Sequence, residues 1–336
     1  MNNEPVRVGL NGFGRIGRNV FRASMESDAV EIVGINDVME DEEFEYLAKY
    51  DTVLGRCDGA SLEDGTLTVD GTDFEAGVFH ETDPSKLPWG ELDVDVAFEA
   101  TGIFRSHEDA SQHLEAGADK VVISAPPKGD KPVKQLVYGV NQDEYEGEDV
   151  VSNASCTTNS ITPVAKVLHE EFGIEEGQLT TVHAYTGTQN LVDGPNSKPR
   201  RRRAAAENII PTTTGAAQAA TEVLPELEGK LDGMAMRVPV PNGSITEFTV
   251  NLEANVTAGD VNAAFEAAAA GELEGVLGVT NDEIVSSDVL QQPYSTLVDL
   301  QNTNVVGDMT KVLTWYDNEY GFSNRMLDVA QHVHEY

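Results

Sequence analysis

Cys156 is one of two cysteines in a chain of 336 residues, and it sits in the run "SNASCTTNS", residues 152–160. Hydroxyls and amides surround it, and a helix-like stretch follows. A thiol at a helix N-terminus has its pKa lowered by the dipole, which favours the thiolate, the form that attacks electrophiles. Structural thiols sit instead among Leu, Val and Phe, and Cys57 is read as a buried thiol of that kind. His183 belongs to a strand-like run that begins near Leu179. On such elements the two side chains can form a thiolate–imidazolium pair for covalent catalysis. Taken alone, His183 reads more readily as a structural histidine, because spacing does not show that it meets Cys156. The other six, His80, His107, His113, His169, His332 and His334, lie in polar or helical contexts that suit solvated groups.

A second chemistry is written near the start. In "VGLNGFGRIGRNV" the residues Gly12, Gly14 and Gly17 form G-x-G-x-x-G between a strand-like run and a helix-like one. The first glycine permits a tight turn, the second lets a pyrophosphate approach, and the third lets helix and strand pack closely. The helix N-terminus then presents backbone N–H groups to phosphate. Asp37 follows Gly17 by 20 residues, at the end of the next strand-like run. A carboxylate there accepts hydrogen bonds from an adenosine ribose and repels a 2′-phosphate, so the cofactor read from these residues is NAD.

The elements that must position these groups alternate. Val6–Leu10 reads as a buried strand, Arg15–Glu26 as a helix, and Val30–Asp37, Val94–Thr101 and Lys120–Ser124 as further strands. Such alternation predicts an α/β fold with a Rossmann-type, doubly wound parallel sheet. Leu62–Phe79 has Gly turns between alternating runs and reads as an antiparallel hairpin insert. After Cys156 the pattern changes to a helix over Asn159–Phe172, strands over Leu179–Gly187, Met234–Val240 and Ile245–Val256, and a helix over Val261–Ala270. That half is expected to be an α+β catalytic domain with a mixed sheet. The expected division is 1–155 for the nucleotide, completed by a C-terminal helix over 319–336, and 156–318 for the substrate. Within that second domain, the loop 187–203 is rich in Gly, Pro, Asn and Arg. A loop of that length is functional or lies at an interface.

Charge narrows the partners. The chain carries 58 acidic against 22 basic residues, a formal charge of −36. That balance argues against nucleic acid, which needs clustered Lys and Arg. Acid-rich chains with few aromatics can be disordered, but apolar periodicity continues along the whole length. The balance is read as adaptation to a very salty cytoplasm, where at ~1 M salt the screening length shrinks to about 3 Å and self-repulsion is damped. No run approaches the ~18 apolar residues of a membrane span, and the opening residues do not resemble a signal peptide. With two distant cysteines, a reducing cytoplasm is the expected compartment. The four-arginine run Arg200–Arg203 stands out against so little positive charge elsewhere.

Six motifs together, "NGFGRIGR", "SNASCTTNS", "HAYTGTQ", "RRAAAENIIPTTTGAA", "MAMRVPVPNGS" and "WYDNEYGFSNR", resemble the phosphorylating glyceraldehyde-3-phosphate dehydrogenases, in family order from Asn11 to Arg325. The resemblance implies an enzyme that oxidises glyceraldehyde 3-phosphate with NAD and inorganic phosphate to 1,3-bisphosphoglycerate, reversibly, in glycolysis or gluconeogenesis. It makes Cys156 the nucleophile that becomes a thioester and His183 the base. It places Thr186 and Arg237 on the substrate phosphate, and Ser155, Thr157, Thr214 and the backbone of Gly215 on the attacking phosphate. Alone, "PTTTGAA" reads equally well as a cap before an Ala-rich helix. Arg15 and Ile16 follow the pyrophosphate glycines, Ser124 matches a strand-end cofactor contact, and Asn318 matches the residue that orients the nicotinamide amide. No metal is implied.

The family's members are homotetramers, with the long loop against a neighbouring subunit. Three positions depart from the pattern. Gly194-Pro195 stands where NAD-preferring members often carry Leu-Pro, which leaves NADP use open. Thr82 stands where a basic residue commonly contacts the adenine side. The run Arg200–Arg203 has one more arginine than usual. Within the class the rival is erythrose-4-phosphate dehydrogenase; outside it, a non-catalytic NAD-binding regulatory protein.

Overall fold

The computed structural model describes residues 4–336, and the chain divides into two compact units. The first runs to Tyr138, resumes over Gln142–Ser155 and takes in Ser323–Tyr336. Its elements in order are β1 (Val6–Asn11), α1 (Arg15–Ser24), β2 (Val30–Asn36), α2 (Asp41–Lys49), the small hairpin β3 (Tyr50–Asp51) and β4 (Gly55–Arg56), β5 (Ala60–Glu63), β6 (Thr66–Val69), β7 (Glu75–Phe79), β8 (Val96–Glu99), α3 (His107–Ala110), α4 (Gln112–Glu115), β9 (Lys120–Ile123), β10 (Lys134–Gln135) and β11 (Val150–Ser152).

Nine of these strands form one sheet in the order β10-β11-β9-β8-β1-β2-β7-β6-β5. From β10 to β7 every pairing is parallel. From β1 the chain steps to β2 on one side and later to β8 and β9 on the other, so the ends of β1, β2 and β8 form the switch point where open α/β sheets bind ligands. The central strands are buried along nearly their whole length, β8 completely. That is the pattern of a parallel sheet covered on both faces.

The antiparallel hairpin expected over residues 62–79 forms as β5, β6 and β7, and because β7 docks parallel on β2 it extends the main sheet. Two expectations change here. His113 is not solvated but fully buried, because the polar atoms of Trp89 and Glu99 meet both its ring nitrogens. Cys57 is half-buried rather than sealed in a core.

The second unit comprises Gly139–Asn141 and Cys156–Phe322. It holds α5 (Cys156–Phe172), β12 (Ile174–Ala184), β13 (Ile210–Thr213), α6 (Ala216–Val223), β14 (Leu231–Val238), β15 (Ser244–Leu252), α7 (Ala258–Ala269), β16 (Leu277–Thr280), β17 (Thr296–Asp299), β18 (Asn304–Val306) and β19 (Met309–Tyr316); α8 (Tyr320–Glu335) begins in it. The sheet runs β13-β14-β12-β15-β19-β17-β16, with β18 also on β19. It is mixed, parallel at β12/β14 and β16/β17 and antiparallel elsewhere. Burial alternates strictly along β15, the signature of a strand with one covered face. Helix α5 provides that cover, lying across β12, β15, β17 and β19 between α6 and α7. It starts three residues earlier than Asn159, at Cys156, because hydroxyl and amide residues mask the apolar periodicity of its first turn.

Candidate active site

In the first unit the glycines close a cradle. Gly12 has φ +103°, a left-handed value that only glycine adopts without strain, and a Cβ there would lie 2.7 Å from the Thr101 nitrogen. At Gly17 a Cβ would lie 2.0 Å from the carbonyl oxygen of Gly12, so any side chain would push α1 off β1. Gly14 is the N-cap of α1 and offers no side chain to its first-turn N–H groups, while the space around it is open. Arg15 and Ile16 begin that turn. An uncapped helix end with room before it suits a pyrophosphate. Asp37 lies just beyond β2; its Oδ2 accepts from Phe13 N at 2.7 Å and its Oδ1 from Met39 N at 3.2 Å. Its charge is therefore pinned beside the glycine turn. Ser124 follows β9 and donates its N–H to the Glu99 carbonyl at 3.0 Å.

In the second unit Cys156 opens α5 and His183 is the penultimate residue of β12. Cys156 Sγ lies 3.5 Å from His183 Nε2. His183 Nδ1 lies 2.7 Å from the Ala184 carbonyl oxygen, which only a proton on Nδ1 makes attractive. Arg237 Nη1 also lies 3.0 Å from Nδ1, but it already donates to the Ala184 carbonyl at 2.9 Å, and the shorter 2.7 Å carbonyl contact favours the proton on Nδ1, which leaves Nε2 as the acceptor that faces sulfur. The imidazole is 3% exposed, and burial, reinforced by the Arg237 guanidinium, lowers its pKa from 6.5 to about 3. Burial also pushes the Cys156 thiol up, with Arg237 pulling the other way. Burial therefore favours the neutral form of both groups. Burial thus works against the expected thiolate–imidazolium pair, while the Arg237 guanidinium and the contacts to Thr157 work for the thiolate.

Tyr316, at the end of β19, lies beneath this pair. Its hydroxyl sits 3.1 Å from Thr157 Oγ1 and 2.8 Å from Thr181 Oγ1, and its ring meets His183 edge-on at 5.9 Å. Burial raises its pKa to about 12, so it stays a phenol.

Arg237 extends the site. On β14, directly opposite His183 in the β12 register, it donates to Ala184 O at 2.9 Å and reaches Thr186 Oγ1 at 3.4 Å. Its Nε is buried with no partner, a cost that an anion would relieve. Arg201 donates to Thr212 Oγ1 and Thr188 Oγ1, both at 3.2 Å, and Lys198 donates to Thr213 Oγ1 at 2.9 Å. Burial lowers the pKa of Lys198, and the nearby charges of Arg201 and Arg237 lower it further. Three mutually repelling cations beside a row of threonines mark an anion site. Lys198, Arg201 and Tyr316 are the groups that sequence reasoning missed; the conspicuous arginine run was the available signal for the second.

The remaining candidates lie as follows. Ser155 precedes Cys156 and groups with the first unit. Thr157 is buried on α5 with its hydroxyl on Tyr316. Thr214 accepts from Ala216 N at 3.1 Å, and Gly215 is the N-cap of α6. Asn318 accepts from Ser244 Oγ at 2.7 Å through its amide oxygen, which turns the amide nitrogen to the opposite edge.

Known proteins fit this arrangement. Residues 6–107 match the family model for the NAD binding domain of glyceraldehyde 3-phosphate dehydrogenase, and residues 155–318 match that for its C-terminal domain. A glyceraldehyde-3-phosphate dehydrogenase of Haloarcula vallismortis is 82% identical over 335 residues, covering 100% of both chains. Those of Geobacillus stearothermophilus and Streptomyces coelicolor are 52% and 53% identical, each over 98% of both chains. The chain belongs to the glyceraldehyde-3-phosphate dehydrogenase family of NAD-dependent oxidoreductases.

Proposed function

We propose that the chain oxidises glyceraldehyde 3-phosphate to 1,3-bisphosphoglycerate by the phosphorylating route, with Cys156 and His183 as catalytic residues. The observation that carries this is the 3.5 Å contact between Sγ and the acceptor nitrogen Nε2. As sulfur attacks the aldehyde carbon, its proton crosses to Nε2 and on to the carbonyl oxygen, giving a hemithioacetal. Nε2 then takes the hydroxyl proton as the C–H bond breaks, and a thioester remains on Cys156. NAD, when bound, supplies the electron sink for that step. Inorganic phosphate attacks the thioester carbon, the acyl phosphate leaves, and sulfur recovers its proton.

Each step leans on residues already described. Arg237 and Thr186 hold the substrate phosphate; Ser155, Thr157, Thr214 and Gly215 N–H receive the attacking one, with Arg201 and Lys198 adding positive charge. Tyr316 holds the His183 ring edge-on. Gly12, Gly14, Arg15, Ile16 and Gly17 form the pyrophosphate cradle, Asp37 takes the adenosine ribose, Ser124 and Asn318 complete the cofactor contacts, and no metal takes part. The first unit is thus the cofactor domain and the second the catalytic one.

The protein works as a homotetramer in a salty cytoplasm. Leu191 and Val192, in the loop 187–203, are exposed large apolar residues, as an interface loop requires. Among the described residues no helix is long and apolar enough to cross a membrane. The test is NADH formation from glyceraldehyde 3-phosphate in molar potassium chloride, with and without phosphate, with erythrose 4-phosphate alongside and NADP in place of NAD. Phosphate-dependent turnover with NAD is expected. Faster turnover of erythrose 4-phosphate, or none of either with Cys156 still reactive, would overturn it. Light scattering at the same salt reads the oligomer.

A further inference from the structure

Beneath the glycine turn lies a buried polar cluster that none of the chemistry above uses. Asn11, Asn36 and Glu99 end β1, β2 and β8, and the register places them side by side across the three central strands. All three are buried. Asn36 Nδ2 donates to Asn11 Oδ1 at 2.8 Å, and Asn11 Nδ2 donates to Glu99 Oε2 at 2.7 Å. From α4, His113 Nδ1 accepts from the Trp89 indole at 3.0 Å. An indole N–H can only donate, so the His113 proton sits on Nε2, which donates to Glu99 Oε2 at 3.2 Å. The other carboxylate oxygen, Oε1, accepts from Thr101 N at 2.9 Å and from the Thr101 hydroxyl.

Glu99 therefore meets four donors and no acceptor. Two of them matter for the turn. Asn11 leads directly into Gly12. Thr101 is the residue whose backbone nitrogen occupies the space beside Gly12 that a Cβ would need, 2.7 Å from where that atom would stand. One carboxylate thus ties together the segment that enters the turn and the segment that walls it. Main-chain bonds run in parallel, Gly12 N to Asn36 O and Ala100 N to Asn11 O, both 2.7 Å.

We propose that Glu99 is a positioning residue for the cofactor: by clamping Asn11 to Thr101 it sets the width of the cradle at Gly12, without touching NAD. The proposal rests on reading that turn as the NAD cradle. A carboxylate is required, because an amide has one oxygen and one NH2 group. In Glu99→Gln the NH2 would face donors on one side, freeing either Thr101 or the Asn11–His113 pair. Such a buried mismatch weakens a held geometry by about tenfold in equilibrium terms.

The test begins with wild-type NAD affinity, measured calorimetrically in molar salt. Absence of binding there would remove the cradle reading itself. Given wild-type binding, Glu99→Gln should weaken Kd and KM for NAD by about tenfold or more. It should leave kcat, KM for glyceraldehyde 3-phosphate and the alkylation rate of Cys156 within about twofold, since those belong to groups outside the cluster. Thr101→Val, which keeps the backbone donor and loses only the hydroxyl, should weaken Kd by about threefold and serves if the first variant does not fold. Unchanged NAD affinity in a folded variant, or a fall in kcat with Kd intact, overturns the positioning role.

Discussion

The two halves of the machinery are built on opposite principles. At the cradle in the first unit, polar groups are satisfied and geometry is rigid: Gly12 and Gly17 without room for a side chain, an Asp37 carboxylate bound by two backbone N–H groups, and a Glu99 carboxylate with four donors. At the thiol in the second unit, groups are held away from their ordinary states. His183 is buried as a neutral base, Cys156 is pushed toward the thiol, and the buried Arg237 Nε lacks a partner. A site that only binds gains from complete satisfaction, since every unmade bond costs affinity. A site that reacts gains from groups whose satisfaction arrives with the substrate, so that stabilisation falls on the transition state rather than the resting enzyme.

Breaking one side while reading the other tests this contrast. The largest effect is expected from Cys156→Ser, which should lower kcat more than about a thousandfold while calorimetric NAD affinity stays unchanged. A parallel loss of NAD binding would show that the two sites are not separable.

His183→Gln comes next. General-base removal should lower kcat by about a hundredfold to ten-thousandfold. The same residue makes a stability prediction. Its folded pKa of about 3 lies below the unfolded 6.5, so between those values the unfolded chain binds the extra proton. Wild type should lose stability as pH falls from about 6.5 toward 3, by ~1.4 kcal/mol per pH unit at most from this group. Urea denaturation in molar salt, compared with His183→Gln, isolates that slope from the carboxylates; equal slopes would contradict a buried neutral imidazole.

Arg237→Leu should raise KM for glyceraldehyde 3-phosphate by about tenfold to a hundredfold, as expected for losing a charged hydrogen-bonding partner. Because the guanidinium pulls the Cys156 pKa down, its loss should also move the alkylation profile to higher pH. A profile that stays put would mean that Arg237 acts on the substrate alone.

The smallest effect is expected at the cradle. Asp37→Gly should improve the ratio of NADP to NAD turnover by about tenfold, through loss of one repelling charge, with kcat for NAD changed little. No gain with NADP would place discrimination elsewhere, with Gly194 the first position to examine.

Some of this was legible before any coordinates. Alternating strands and helices specify a parallel sheet, because parallel neighbours need crossovers, and the spacing of Gly12, Gly14 and Gly17 specifies a turn because two of the three positions admit no Cβ. The second unit was harder to read. Its strands β13, β16, β17, β18 and β19 are short or follow loops, and β19, which carries Tyr316, alternates in burial but not in residue type, since Thr310 and Thr314 are buried while Leu313 and Trp315 face outward. His113 looked like any polar helix residue, since burial at a nitrogen-matched position leaves no periodic trace.

By itself the sequence determined the chemistry on offer: a thiol among hydroxyls, a glycine turn followed by a carboxylate, and scarce arginines in an acidic chain. Those follow from residue type and local spacing, which act over a few residues. Only the tertiary structure decided that His183, 27 residues along the chain from Cys156, turns its acceptor nitrogen to that sulfur. The same holds for the burial that works against charge on both members of the pair, and for the donors that Glu99 gathers from Asn11, Thr101 and His113. Distance, burial and proton placement depend on what the folded chain packs around a group, and that is not a local property.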